Sequence, residues 1–150
     1  MIKNKIPPPI VTLFFGLCIY FSTDCFFSYE YKLLDTLSYM CYLIGLCILI
    51  LAVNSFKKHS TTVNPIKIEN ASSLVTSGVF EYSRNPMYLG MTLILLGLAL
   101  MFNVIGGTLF TLPFTIFITK FQIKPEEEEV MERLFGEDFL KYKQNVRMWI

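Results

Sequence analysis

Three long apolar runs constrain the fold of this chain more than any other feature of its sequence. A helix that crosses a bilayer needs about 20 consecutive, mostly apolar residues, and the runs at 8–27, 36–56 and 86–119 are that long or longer. Hydrophobic residues make up 53% of the sequence, and its mean hydropathy is +0.50, which is more apolar than an average soluble domain. The sequence therefore predicts an all-α integral membrane protein.

The third run is long enough for two membrane-crossing helices. Asn103, Gly106 and Gly107 interrupt it where the turn of a helical hairpin would lie. The run therefore divides into predicted spans at 86–102 and 104–119, which gives about four transmembrane helices in total. We expect these helices to form a single domain that covers all 150 residues.

The distribution of positive charge supports this number of spans, because cytoplasmic loops of membrane proteins are enriched in lysine and arginine. With four spans, only Lys32 lies on the outer side, while the loop 57–85, the tail 120–150 and both termini are cytoplasmic. In a prokaryote the membrane would be the plasma or inner membrane. The remaining basic residues all fall on the cytoplasmic side: Lys3, Lys5, Lys57, Lys58, Lys67, Arg84, Lys120, Lys124, Arg133, Lys141, Lys143 and Arg147.

Charge and cysteine patterns argue against several other functions. The formal net charge is only +1, and no basic tract with interleaved aromatics is present, so we predict no nucleic-acid binding. The cysteines lie inside apolar runs without the paired spacing of a zinc site, and the only histidine, His59, lies in a separate basic stretch. We therefore predict no metal site, and the sequence makes no prediction of the oligomeric state.

The tail after the last apolar run has an amphipathic pattern. Pro125 suits the first position of a helix, and the glutamates at 126–129 place negative charge in its first turn, where the helix dipole favours it. An apolar stripe follows within 130–135, and Gly136 is expected to end the helix. We expect the tail to lie on the membrane surface at the cytoplasmic face or to fold back over the spans.

Two polar clusters are predicted to lie at the same cytoplasmic surface. One is Arg-Asn-Pro-Met-Tyr-Leu-Gly at 84–90, and the other is the acidic run at 126–129. Pro86 is suited to begin a helix, which leaves Arg84 and Asn85 beside free backbone N–H groups that can bind an anionic ligand group. By charge alone, such an arginine is more often an ordinary membrane anchor, and such glutamates are more often a solvated helix start.

Two ordered motifs include these clusters. The first reads Leu-Val-Thr-Ser-Gly-Val-Phe at 74–80, followed by Tyr-Ser-Arg-Asn-Pro-Met-Tyr-Leu-Gly at 82–90. The second consists of Glu127, Glu128, Met131, Phe135, Gly136, Phe139, Tyr142, Val146 and Trp149. From about Thr62 to residue 150, the chain resembles the isoprenylcysteine carboxyl methyltransferases and their prokaryotic relatives. The stretch 85–88 is also similar to the phospholipid N-methyltransferases.

The resemblance implies a membrane methyltransferase that uses S-adenosylmethionine and transfers a methyl group to a carboxylate or amine of a lipophilic small molecule or lipidated substrate. It implies Arg84, Tyr88 and Glu128 as candidate catalytic residues. Tyr88 or Glu128 could accept the proton of an amine acceptor, whereas a carboxylate acceptor needs no base. The implied cofactor contacts are Ser72, Ser73, Leu74, Val75, Phe80, Asn85, Pro86, Met87, Tyr88 and Glu127.

These residue types suit the charges of S-adenosylmethionine, which carries an ammonium, a sulfonium and a carboxylate. A glutamate can pair with the cationic end, while an arginine or a helix N-terminus can bind the carboxylate. Apolar and aromatic side chains can hold the adenine.

The sequence departs from the family pattern at several positions. Asn85 replaces the usual histidine, and Phe80 and Phe139 replace tyrosines. Ile123 occupies the position of an arginine that holds substrate in the eukaryotic prenylcysteine enzymes. We therefore predict weak or no activity on a prenylated cysteine. A catalytically silent membrane-binding or assembly protein that retains the fold is the alternative function.

Overall fold

The computed structural model describes residues 6–25, 31–62, 65–102 and 105–150, with side chains described except at 65–67, 105 and 124–126. Within these ranges the chain forms helices and no strands, which confirms the predicted all-α class. The first three long helices are α1 (Pro8–Phe21), α2 (Lys32–Lys58) and α3 (Pro86–Met101). Short 3₁₀ turns at Pro65–Asn70 and Gly78–Glu81 connect α2 to α3, followed by α4 (Ile105–Thr108), α5 (Thr111–Phe117), a π-helix (Ile118–Glu127) and α6 (Glu128–Asn145).

Helices α2 and α3 pack closely because glycines face each other at their crossing. A Cβ atom added to Gly90 would lie 2.8 Å from the carbonyl oxygen of Gly45, and one added to Gly45 would lie 2.8 Å from the carbonyl oxygen of Gly90. Farther along the same interface, the hydroxyl of Ser38 donates a hydrogen bond of 2.8 Å to the carbonyl oxygen of Gly97. The backbones therefore approach at distances that only glycine permits.

Residues of α1, α3, α5 and the π-helix form the main core cluster. Ile19, Ala99, Phe114 and Ile118 are fully buried in it. On the opposite faces of α1 and α2, many large apolar side chains are exposed. They include Leu13, Phe14, Phe21, Leu33, Tyr39, Met40, Leu43, Leu46, Ile50 and Leu51.

The predicted spans agree with the helices to different degrees. Helix α3 matches the predicted span 86–102 to within one residue, while α2 extends beyond 36–56 at both ends. Helix α1 ends at Phe21, and the last two residues of the predicted span 8–27 lie outside the described residues. Among the described residues, α2 is the one helix long and apolar enough to cross a membrane, and α1 and α3 are shorter apolar helices.

The prediction that a separate tail helix begins at Pro125 is wrong. Helix α5 continues without a break through the π-helix into α6, so Pro125 lies inside a helical segment and does not begin one. Proline has no backbone N–H and interrupts the regular ladder, and the chain takes the wider π turns there instead of ending. The segment 104–119 is also divided by a turn at 109–110. The proposed turn residue Asn103 lies outside the described residues.

Gly136 interrupts α6 as the sequence predicted. Its φ of 49° and ψ of −123° are not helical, and the helix resumes after this kink and continues to Asn145. A positive φ is readily adopted by glycine. The kink turns the second half of α6 so that Phe139 and Tyr142 are buried in a second core cluster with Val75 and Phe80.

Candidate functional site

A cavity of about 490 Å³ lies where the N-terminal ends of α1 and α3, the connection between α2 and α3, and the tail meet. It contains every predicted site residue except Ser72. The predicted residues that line it are Ser73, Leu74, Val75, Phe80, Arg84, Asn85, Pro86, Met87, Tyr88, Glu127 and Glu128. Residues far apart in the sequence therefore contribute to one concave surface.

Ser72 does not line the cavity, but its hydrogen bonds hold the segment that forms one wall. Its backbone N–H donates a hydrogen bond of 3.0 Å to the Thr61 hydroxyl, and its own hydroxyl donates one of 3.0 Å to the Ser60 carbonyl oxygen. The Ser73 hydroxyl donates in the same way to the carbonyl oxygen of His59, at 3.0 Å. These bonds fasten the connection to the end of α2, so that Leu74 and Val75 face the cavity.

An ion cluster forms the polar end of the cavity. Arg84 Nη1 lies 2.7 Å from Glu128 Oε1, and Lys143 Nζ lies 3.0 Å from Glu128 Oε2, so cations contact both oxygens of this carboxylate. The side chains of Arg84 and Glu128 are 10% and 14% exposed. Arg84 Nε is buried and has no hydrogen-bond partner within the described part of the chain. This nitrogen is a donor that a bound anionic group could satisfy.

Tyr88 and Glu127 form a second polar pair beside the cluster. The hydroxyl of Tyr88, which lies on the first turn of α3, donates a hydrogen bond to Glu127 Oε1. Glu127 is the last residue of the π-helix and is half-buried. Because Glu127 precedes Glu128 directly, the junction of the π-helix and α6 presents two carboxylates to the cavity in different surroundings.

Aromatic residues form the apolar wall. The rings of Phe56 and Phe80 meet edge to face with their centroids 5.1 Å apart. The Tyr142 hydroxyl donates a hydrogen bond of 2.7 Å to the Phe80 carbonyl oxygen. Burial raises the pKa of Tyr142 above its usual value, and the nearby positive charge of Arg84 opposes this shift without cancelling it. Tyr142 therefore acts as a neutral donor that fixes the backbone at Phe80.

Several residues that line the cavity were not predicted as site residues. They are Pro7, Pro8, Pro9, Phe56, Thr61, Thr62, Ile68, Ala71, Met91, Met131, Phe139 and Tyr142. Met91 follows Tyr88 by three positions and therefore lies on the same face of the helix. Met131, Phe139 and Tyr142 belong to the second motif. These four residues could therefore have been predicted from the sequence. Nothing in the sequence indicated that Pro7 and the first two residues of α1 would reach the same cavity.

The described residues include no group of three histidine, cysteine, aspartate or glutamate side chains placed to hold a metal ion. Glu127 and Glu128 are the acidic residues that line the cavity, and Glu128 is already in contact with two cations.

The structure thus defines the class of protein as an apolar, all-α chain with a cavity that has charged residues at one end and an aromatic wall. Sequence comparison identifies the family. The sequence model described as phospholipid methyltransferase matches residues 34–138. The chain therefore belongs to the phospholipid methyltransferase family. No solved structure shows significant similarity to it.

Individual relatives confirm the resemblance that the motifs indicated. A probable protein-S-isoprenylcysteine O-methyltransferase of Oryza sativa subsp. indica is 30% identical over 119 residues, which is 78% of this chain and 61% of the relative. The protein-S-isoprenylcysteine O-methyltransferase of Mus musculus is 38% identical over 76 residues, or 49% of this chain and 26% of the relative. An uncharacterized protein of Haemophilus influenzae is 39% identical over 64 residues, 43% of this chain and its own full length. The chain thus spans about three fifths of the rice relative.

Proposed function

We propose that this chain is a membrane methyltransferase that uses S-adenosylmethionine and methylates an acceptor with an apolar body. The observation that carries the proposal is the cavity, which combines carboxylates, aromatic walls and a buried arginine, one nitrogen of which has no hydrogen-bond partner among the described residues. Its volume of about 490 Å³ lies in the range of roughly 300–1,000 Å³ that small-molecule sites have.

The residues of the cavity fit the cofactor group by group. Glu127 would pair with the ammonium, because a carboxylate–cation hydrogen bond is among the stronger polar contacts in proteins. Arg84 Nε, which is buried and has no partner in the part of the chain that the structure describes, would bind the carboxylate. Val75 and Phe80 would form an apolar surface for the adenine. When bound, S-adenosylmethionine supplies a methyl group activated by its sulfonium.

Glu128 and Tyr88 would have different tasks. Cations contact both oxygens of Glu128, so this residue is suited to hold Arg84 in place inside the cavity. The Tyr88 hydroxyl, which donates to Glu127, would hold that carboxylate in orientation. An amine acceptor must release a proton, for which Glu128, or Tyr88 relaying to Glu127, is available in the cavity. A carboxylate acceptor needs no such step.

Alignment and exclusion of water would supply much of the rate. Displacement at a methyl group requires the nucleophile to approach in line, and a site that holds both reactants removes most of the entropic cost. Phe80, Phe139 and Met131 cover the cavity with apolar surface, which keeps water away from the reacting atoms.

The bilayer would surround the exposed apolar faces of α1 and α2. Large apolar side chains such as Phe14, Leu43 and Ile50 are exposed there, and a contiguous apolar surface of this kind is unfavourable in water. We propose that the chain crosses the membrane about four times with both termini in the cytoplasm. The cavity would then open toward the cytoplasm, where S-adenosylmethionine is available, while the acceptor would arrive from the lipid.

The acceptor is proposed to be an amphiphile other than a prenylated cysteine. Ile123, at the position where the related enzymes have an arginine, is 1% exposed and packs in the main core cluster. It is absent from the cavity lining and carries no charge for an acceptor carboxylate.

Calorimetry with S-adenosylhomocysteine tests the proposal. The protein purified in detergent should bind this co-product of methyl transfer, and addition of labelled S-adenosylmethionine with a membrane extract should yield a labelled lipid-soluble product. No binding across several detergents and lipids would contradict the proposal and favour the catalytically silent membrane protein.

A further inference from the structure

The last residues of the chain return to the cavity after α6 ends. Helix α6 stops at Asn145, and Val146 takes an extended conformation with φ −120° and ψ 130°. Residues 146–149, which we call the C-terminal strap, then run along the segment that precedes α3. The strap lies beside the start of the helix that carries Tyr88.

Hydrogen bonds join the strap to the beginning of α3. The backbone N–H of Arg84 donates to the carbonyl oxygen of Arg147 at 3.0 Å. The side-chain amide of Asn85 donates to the carbonyl oxygen of Met148 at 3.0 Å, and the Ser83 hydroxyl donates to the same oxygen at 3.4 Å. The Asn85 N–H donates in turn to the Ser83 hydroxyl at 3.2 Å. The three consecutive residues that precede α3, Ser83, Arg84 and Asn85, are therefore each hydrogen-bonded to the strap.

The other side of the strap is anchored to the π-helix and the core. Met148 and Trp149 pack against the main core cluster, which includes Tyr88 and Ile118. The indole N–H of Trp149 donates a hydrogen bond of 3.3 Å to the hydroxyl of Thr119. Trp149 and Thr119 are both absent from the lining of the cavity. The strap thus links the π-helix to the start of α3 without itself contacting the cavity.

We propose that the C-terminal strap positions Arg84 for ligand binding, and that Asn85 is a positioning residue that acts through the strap. A buried ligand-binding side chain keeps its geometry only when its own backbone is held by supporting bonds. Arg84 has this support through Arg147, and the amide of Asn85 is directed to the strap. The proposal rests on the proposed function, since Arg84 is the residue positioned for the cofactor.

Variants of Trp149 and Asn85 test the proposal by calorimetry with S-adenosylhomocysteine. Trp149→Phe keeps an aromatic ring but removes the N–H donor, and it should weaken binding about fivefold although it lies outside the cavity. Asn85→Ala should weaken binding about tenfold, and Asn85→His, which keeps an N–H donor, should restore most of the loss. Tyr82→Phe, an exposed neighbour, is the control and should leave binding unchanged.

The double variant distinguishes positioning from direct contact. If Asn85 acts through the strap, Trp149→Phe combined with Asn85→Ala should bind about as weakly as Asn85→Ala alone. Effects that multiply, or a Trp149→Phe variant that binds like the unaltered protein, would overturn the proposal. If Trp149→Phe fails to fold, Thr119→Val removes the acceptor of the same bond and is judged by the same criteria.

Hydrogen–deuterium exchange provides a measurement that does not depend on the cofactor. The Arg84 amide should exchange faster in Trp149→Phe than in the unaltered protein, because its bond to Arg147 opens more often. Unchanged exchange would overturn the positioning role. Absence of S-adenosylhomocysteine binding by the unaltered protein would instead overturn the proposed function, and the exchange result would still decide whether the strap holds Arg84.

Discussion

Glu127 and Glu128 are adjacent in the sequence but have different partners. Glu127 accepts a hydrogen bond from the Tyr88 hydroxyl, whereas Glu128 contacts the cations of Arg84 and Lys143. A helical junction places consecutive side chains about 100° apart around the axis, so neighbours face different surroundings. Both glutamates line the cavity, but one is held by a tyrosine hydroxyl and the other by two cations.

Glu127→Gln should weaken S-adenosylhomocysteine binding by about 1.5–3 kcal/mol, the usual contribution of a hydrogen bond to a charged group. The amide keeps the shape of the side chain but loses the negative charge that is proposed to pair with the ammonium. Calorimetry measures the effect, and Glu129→Gln on the exposed face is the matched control. Equal losses from the two changes would indicate a diffuse acidic surface and no specific pairing by Glu127.

Glu128→Gln should lower the free energy of unfolding by about 1–3 kcal/mol, because it leaves the mostly buried charge of Arg84 without its counter-ion. This loss is smaller than that expected for a fully buried ion pair. The side chain of Lys143, which also contacts Glu128, is 36% exposed, so solvent screens its interaction with the carboxylate. Thermal or denaturant unfolding in detergent measures the effect, with the exposed Glu132→Gln as control. A stability equal to that of the control would mean that the ion cluster contributes nothing.

At the scale of elements, the contact between α2 and α3 depends on glycine. Gly90→Ala should destabilise the protein by about 2 kcal/mol or more, because the new Cβ would lie 2.8 Å from the Gly45 carbonyl oxygen and the helices would have to separate. Gly16→Ala in α1 is the matched control, since its Cβ would meet side-chain atoms no closer than 3.5 Å. Alanine also favours helix, so the control should be neutral or slightly stabilising. Comparable unfolding midpoints for both variants would contradict the close approach of α2 and α3.

The continuous segment from α5 to α6 has a consequence for the site. Because the π-helix joins them without a break, Glu127 and Glu128 are attached rigidly to the helices that pack in the main core. Rigid elements hold binding groups more accurately than loops do. Pro125 and the acidic run suggested a separate tail helix, but the backbone continues through them in wider turns.

At the scale of the whole molecule, the membrane topology can be tested by cysteine accessibility. After replacement of the native cysteines, reporters at Lys58, Ser73 and Gln144 should react only from the cytoplasmic side, and a reporter at Lys32 only from the other side. The reason is the distribution of basic residues across about four spans. Labelling of Gln144 from the outer side would mean an odd number of spans and would place the two motifs on opposite sides of the membrane.

The acceptor can be identified with labelled S-adenosylmethionine and an extract of total lipids and membrane proteins from the source cell. We expect little methyl ester formation on farnesylcysteine, because Ile123 is buried and uncharged where the related enzymes have an arginine. An amphiphile with a small polar head should be methylated faster. Efficient esterification of farnesylcysteine would overturn this prediction and assign Arg84 or Lys124 to the acceptor carboxylate.

The sequence by itself determined the helical class, the extent of α3 and eleven of the 23 residues that line the cavity. Long apolar runs favour helices, because a helix satisfies its own backbone hydrogen bonds, and Pro86 marks the start of α3 as a residue suited to the first turn. Residues within one motif, such as Arg84 and Tyr88, were predicted together because the motif resembles that of the isoprenylcysteine carboxyl methyltransferases.

Only the tertiary structure decided which distant residues meet and which task each carboxylate has. The contacts of Asn85 with Met148 and of Glu128 with Lys143 and Arg84 depend on how α6 bends at Gly136 and how the strap returns. Pro7 and the first residues of α1 reach the cavity because α1 packs against α3. Periodicity and composition report the conformational preference of one segment at a time. These contacts instead form between distant segments, and the sequence of a single segment does not specify which other segment it will pack against.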